Sequence, residues 1–99
     1  MLNVSKTVNG SSLTVTPAGK LTTAAAKELD GELNEALNGI TELVFDLENL
    51  EYITSAGLRM LLSCRKRMSR QGSMRLRKVN PQIMKILDMT GFTGMFTFE

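Results

Sequence analysis

The chain has no histidine and no tryptophan, and only one cysteine and two prolines. The missing histidine excludes the most, because histidine is the commonest general base near neutral pH and the commonest transition-metal ligand. Triads and zinc sites lose their usual donor, and neither a cofactor nor a metal is expected. The single cysteine, Cys64, has no partner for an internal disulfide. No apolar run approaches the roughly 20 residues that span a bilayer, so no membrane association is expected. The first residues, Met1-Leu2-Asn3-Val4-Ser5-Lys6, lack the basic start and long apolar core of a signal peptide, which makes the cytoplasm the expected compartment.

What is present suits one compact domain over residues 1–99, with 42% hydrophobic and 22% charged residues. A chain of this size buries roughly two-thirds of the surface its unfolded form exposes. The charge is unevenly laid out. Residues 1–51 hold three Lys/Arg against eight Asp/Glu, whereas residues 52–99 hold nine against two. A bipolar molecule of this kind steers charged partners.

Alternation over Leu2 to Val8 and Ser12 to Thr16, with Asn9-Gly10 between, predicts an antiparallel hairpin whose second strand ends at Pro17-Ala18-Gly19. Thr22 or Thr23 then caps a helix that runs to about Asn38 and stops at Gly39, burying Ala25, Leu29, Leu33, Ala36 and Leu37. Leu43-Val44-Phe45 reads as a central strand buried on both faces. A second helix runs from Ser55 to about Gln71 and ends at Gly72, with Leu58, Leu61, Leu62, Cys64 and Met68 inward. Met60 lies about 160° from Leu62 at 100° per residue, so one of the two belongs at the rim. Ser73 to Val79 alternates as a half-exposed strand, and Asn80-Pro81 opens a third helix that stops at Thr90-Gly91. Phe92, Met95, Phe96 and Phe98 form a last apolar segment, expected as an edge strand. The predicted order is ββαβαβαβ, an α/β fold with a mixed sheet.

The stretch Tyr52-Ile53-Thr54-Ser55-Ala56-Gly57-Leu58, after the acidic turn Asp46 to Glu51, carries the chemistry. It sets a small hydroxyl residue, Ser55, at a helix start. About four backbone N–H groups there lack intrahelical partners, and the peptide dipoles make that end partly positive. A serine in that place can cap the helix, and a phosphate there is well received. The amides of Ala56, Gly57 and Leu58 are the expected donors, with Gly57 leaving the approach open.

Four segments, Pro17-Ala18-Gly19-Lys20-Leu21, Leu43-Val44-Phe45-Asp46-Leu47, Tyr52 to Leu58, and Leu87-Asp88-Met89-Thr90-Gly91-Phe92, are specific in this order and spacing. Taken together they resemble the STAS domain family, and within it the small bacterial anti-sigma factor antagonists. The resemblance implies a sheet with helices mainly on one face, and a loop serine phosphorylated by a partner serine/threonine kinase that is itself the anti-sigma factor. By position that serine is Ser55. The residue before it is often aspartate in the family and here is Thr54, which supplies a second, alternative hydroxyl.

In this reading the unphosphorylated protein binds the anti-sigma factor and frees a sigma factor, phosphorylation at Ser55 ends the binding, and a serine phosphatase resets the site. The expected contact residues are Glu48, Glu51, Thr54, Ser55, Ala56, Gly57, Arg59 and Met60, on a monomer or weak dimer. Two other classes compete. Arg65-Lys66-Arg67, Arg70, Arg75, Arg77 and Lys78 could converge on nucleic-acid phosphates, yet no base-reading motif accompanies them and direct nucleic-acid binding is not expected. A serine nucleophile would need a base that the chain without histidine does not offer, so the protein is not expected to be an enzyme. A STAS scaffold whose serine is never modified stays open.

Overall fold

The computed structural model describes residues 2–99. The hairpin strands β1 (Leu2–Asn9) and β2 (Ser12–Leu21) come first, then α1 (Thr23–Ala36), β3 (Glu42–Asp46), β4 (Leu50–Ile53), α2 (Ser55–Gln71), β5 (Ser73–Arg77) and α3 (Pro81–Met89). A 3-10 turn, Thr93–Met95, comes last. The sheet is mixed, with strand order β1-β2-β3-β5 and β4 beside the far half of β2. β1 and β2 run antiparallel and the remaining pairs run parallel. The α/β class with a mixed sheet is therefore as expected, while the order of elements is ββαββαβα.

The extra strand is β4, expected as part of an acidic turn. Its partner is the end of β2, through Lys20↔Tyr52 and Leu21↔Ile53. This also corrects the end of β2, which continues through Pro17-Ala18-Gly19 to Leu21. On that side β2 pairs with β3 as far as Val15 and with β4 from Gly19 onward. Pro17 falls in the interval, where a missing N–H costs no ladder bond on that side. The hairpin loop is shifted by one residue: Asn9 pairs with Ser12, and the positive φ of 64° falls on Gly10. That is the first central position of a two-residue loop, where a type II′ turn favours glycine.

Side-chain rows across the sheet explain where the helices go. Leu13, Leu43 and Met74 align, as do Val15, Phe45 and Leu76, and all six are buried in one cluster with Leu29 and Leu33 of α1, Leu61 and Met68 of α2, and Ile83 and Leu87 of α3. All three helices thus cover one face. The alternate residues face the other way and are mostly polar, as a sheet with one solvated face requires. There Arg75 pairs with Glu42 at 3.3 Å and Glu99 at 3.2 Å, and Arg77 with Asp46 at 3.1 Å. The hydrogen bond from Arg75 holds the Glu42 carboxyl below its ordinary value.

Within the helices, the buried stripe of α1 starts at Ala26 and not at Ala25, which is half-buried. On α2, Met60 is the buried member of the pair it forms with Leu62, and Leu62 lies at the rim. After α3 no full strand forms among the described residues. The tail makes a single parallel bridge, Leu76↔Phe98, with Leu76 N–H on the Thr97 carbonyl and Glu99 N–H on the Leu76 carbonyl, both at 2.9 Å.

Candidate functional site

The start of α2 is fixed by Thr54, not by Ser55. Thr54 has extended backbone at φ −87° and ψ 171° and is the capping residue. Its Oγ1 accepts from the Gly57 N–H at 3.3 Å and donates to the Leu21 carbonyl at 3.1 Å. The Thr54 N–H also donates to that carbonyl at 3.1 Å. One threonine therefore satisfies a helix N–H and ties the helix to the end of β2. Its hydroxyl is occupied in both directions.

Ser55, the first helical residue, is exposed, and its hydroxyl makes no hydrogen bond among the described residues. Two neighbouring hydroxyls thus have separate situations, one structural and one free. The amides around them differ from expectation too. Gly57 N–H is taken by Thr54 Oγ1 and Leu58 N–H by the Thr54 carbonyl at 3.0 Å. Only Ala56 remains of the three expected donors.

Gly57 is buried and does not open the approach to the amides. A Cβ at this position would lie 2.7 Å from Ile53 Cγ1 and 3.0 Å from Leu21 Cδ2. The glycine lets the first turn of α2 press against the ends of β2 and β4. Met60 is also buried, with 4% of its surface exposed, which removes it from the expected exposed contacts. Glu48, Glu51 and Arg59 are exposed, and Ala56 is half-buried.

The exposed residues divide between two depressions. Glu48 and Glu51 line an open one of about 770 Å³ beside Asn49, Asn80 and Gln82. Ala56, Arg59 and the edge of Met60 line another of about 300 Å³ between α1 and α2, facing Thr23, Lys27 and Asp30. Tyr52, which is 48% exposed on β4, presents a large aromatic surface to which the sequence alone assigns no role.

The acidic turn owes its shape to Asn80. Its Oδ1 caps α3 by accepting from the Ile83 N–H at 2.9 Å. Its Nδ2 reaches back to the carbonyls of Leu47 at 3.1 Å, Glu48 at 3.2 Å and Leu50 at 2.8 Å. The cap is legible in Asn80-Pro81, but partners 30 to 33 residues away are not. Asp46 helps from the other side, accepting from the Glu48 N–H at 3.2 Å.

The remaining sequence features fall into place without chemistry. Burial pushes the Cys64 thiol up to about 12, so it stays protonated and packs as a small apolar group. Part of the basic set is engaged within the fold: Arg75 and Arg77 lie in ion pairs on the polar sheet face, and Arg67 is bound to Asn34 and Asn38 of the α1 end at 2.8 Å each. Among the described residues no group of three or more His, Cys, Asp or Glu could hold a metal ion, and no helix is long and apolar enough to cross a membrane.

A family model of the STAS domain matches residues 3–99. The chain belongs to the STAS domain family. This STAS domain is 34% identical over 80 residues to a Bordetella bronchiseptica protein provisionally named anti-sigma factor antagonist BtrV, covering 79% of this chain and 69% of that one. The crystal structure of an anti-sigma factor antagonist from Mycobacterium paratuberculosis superposes with a TM-score of 0.86 at 17% identity, over 99% of this chain and 85% of that chain. The anti-sigma factor antagonist SpoIIAA in its unphosphorylated form gives 0.82 at 16% identity, over 100% and 88% of the two chains. SpoIIAA of Bacillus in its phosphorylated form gives 0.75 at 16%, over 100% and 91%. At these identities the solved structures speak for the STAS fold.

Proposed function

We propose that this STAS domain is an anti-sigma factor antagonist that binds an anti-sigma factor in its unmodified form and is switched off by phosphorylation of Ser55. The observation that carries this reading is the division of labour at the start of α2. Thr54 Oγ1 is committed to Gly57 and Leu21, while Ser55 is exposed beside it. The names of the relatives support the partner class, and the phosphorylated and unphosphorylated states of one structural neighbour support the modification.

The domain is the substrate in this scheme and not the catalyst. The γ-phosphoryl group of ATP moves to Ser55 Oγ, ADP leaves, and the hydroxyl proton passes to a base on the kinase. The product carries about −1.5 to −2 charges and three acceptor oxygens. The helix start tolerates that charge, so the fold survives. A partner packed over Ser55 must bury or oppose the charge at a cost of several kcal/mol, and each 1.4 kcal/mol is tenfold in affinity. Glu48, Glu51, Ala56 and Arg59 supply neighbouring contacts. A serine phosphatase restores the binding form.

Incubation with the cognate anti-sigma kinase and ATP, followed by intact-mass measurement and site mapping, tests the reading. One phosphate on Ser55, none on Ser55→Ala, and a loss of kinase affinity in Ser55→Glu are expected. Phosphate on another residue sinks the site. Equal affinity of the unmodified, Ser55→Ala and Ser55→Glu proteins sinks the switch and leaves a passive scaffold.

A further inference from the structure

Arg59 has no assigned purpose in the fold. It is exposed on α2, and it makes no ion pair or side-chain hydrogen bond among the described residues. Arg67, Arg75 and Arg77 each hold a backbone carbonyl or a carboxylate; Arg65 and Arg70 are exposed without a partner among the described residues, as Arg59 is, but neither stands one turn from Ser55. Arg59 also stands four residues after Ser55 on the same helix. Residues at that spacing share one face, with about 5–6 Å between their Cβ atoms.

We infer that Arg59 is the internal receptor for a phosphate on Ser55, pairing with it across one turn of α2. The inference rests on the reading of Ser55 as the acceptor. A guanidinium offers a planar fork of donors that matches phosphate oxygens in pairs, which an ammonium does not. The surroundings favour the pairing. The depression beside Arg59 is about 300 Å³ and is lined by Ala56, the residue next to Ser55, and by Lys27 and Asp30 of α1, while Ser55 itself stands outside its lining. Lys27 is a second cation within the same depression, and Asp30 is its one carboxylate. A phosphate near two negative charges outcompetes a single carboxylate that makes no ion pair with Arg59.

Phosphorylation then changes two things at the surface instead of one. It adds a dianion at Ser55, and it withdraws the Arg59 guanidinium from any acidic surface of the partner. The second effect does not depend on where the partner meets Ser55.

The test needs no kinase. Phosphoserine is incorporated at position 55 during synthesis of the full chain, and the phosphate is titrated by phosphorus-31 NMR in the parent, Arg59→Ala, Arg59→Lys and Lys27→Ala proteins. The second ionisation, ordinarily near 6, is expected lower in the parent than in Arg59→Ala by about half a unit, the size of an exposed pair. Arg59→Lys recovers part of that shift, and Lys27→Ala loses less than Arg59→Ala. The Arg59 Nε–H resonance is expected to move on modification. Identical titration of the parent and Arg59→Ala overturns the inference, even where the kinase modifies Ser55. A clear Arg59 effect together with a kinase that ignores Ser55 overturns the proposed function and leaves the pairing standing.

Discussion

Two helices of this STAS domain begin on a capping side chain that also grips a distant strand, and they differ in the residues next after the cap. Thr54 accepts from the N–H three residues on, at Gly57, and donates to the Leu21 carbonyl. Asn80 accepts from the N–H three residues on, at Ile83, and donates to three carbonyls of the β3–β4 connection. At the start of α3 the next residue is Pro81, without N–H or hydroxyl, and Ile83 fills a fully buried space. At the start of α2 the next residue is the free Ser55, and the third is a glycine with no room for a Cβ. One start is built only to hold. The other holds with Thr54 and Gly57, and so leaves a hydroxyl with no structural duty.

Substitutions can break this contrast, beginning with the position three residues after each cap. Gly57→Val forces methyl groups into Ile53 and Leu21 and is expected to cost about 3 kcal/mol, at the upper end for an overpacked core. Urea denaturation reads the loss, and a stability equal to the parent removes the claim that α2 is pressed onto the strands. Asn80→Ala deletes a cap and three donor contacts and is expected to cost about 2 kcal/mol. Asn80→Asp keeps the cap but turns a carboxylate oxygen toward the three carbonyls, and it is expected to cost at least as much as Asn80→Ala. Thr54→Ala is expected to cost about 1 to 2 kcal/mol, with Thr54→Ser recovering most of it. Ser55→Ala closes the series at under about 0.5 kcal/mol, as for an exposed residue with no partner. If Ser55→Ala were to cost more than Thr54→Ala, the assignment of cap and free hydroxyl would be reversed.

The same contrast shows how far the sequence discloses the fold. The bounds of α2, its stop at Gly72, the Asn80-Pro81 start and the buried β3 are all readable, because each is signalled by residues inside or next to the element. β4 is not. Only Leu50 and Ile53 of its four residues are buried, so neither alternation nor a continuous apolar run marks it, and its pairing partner lies about 30 residues back in β2. The tail misleads in the opposite direction. Phe92, Phe96 and Phe98 pack against the core only in part, and a 3-10 turn interrupts the run, so apolar content does not become a strand.

For the site, cap statistics do not choose between Thr54 and Ser55, since both residue types serve. The Leu21 carbonyl decides, 33 residues away. The burial of Met60 is hidden for a related reason. Its place on the helical wheel is plain, yet whether that side faces solvent depends on α1, whose Ala26 lines the same depression.

The tie between Thr54 and Leu21 bears on how much a single molecule can report. A hydroxyl engaged as both donor and acceptor has to be pulled out of its bonds before it can be modified, whereas its neighbour needs no such step. Under the proposed function, a kinase working on this turn would therefore mark Ser55 and spare Thr54. Graded information would then reside in how many copies carry the mark, and the ratio of opposing enzymes would set that number.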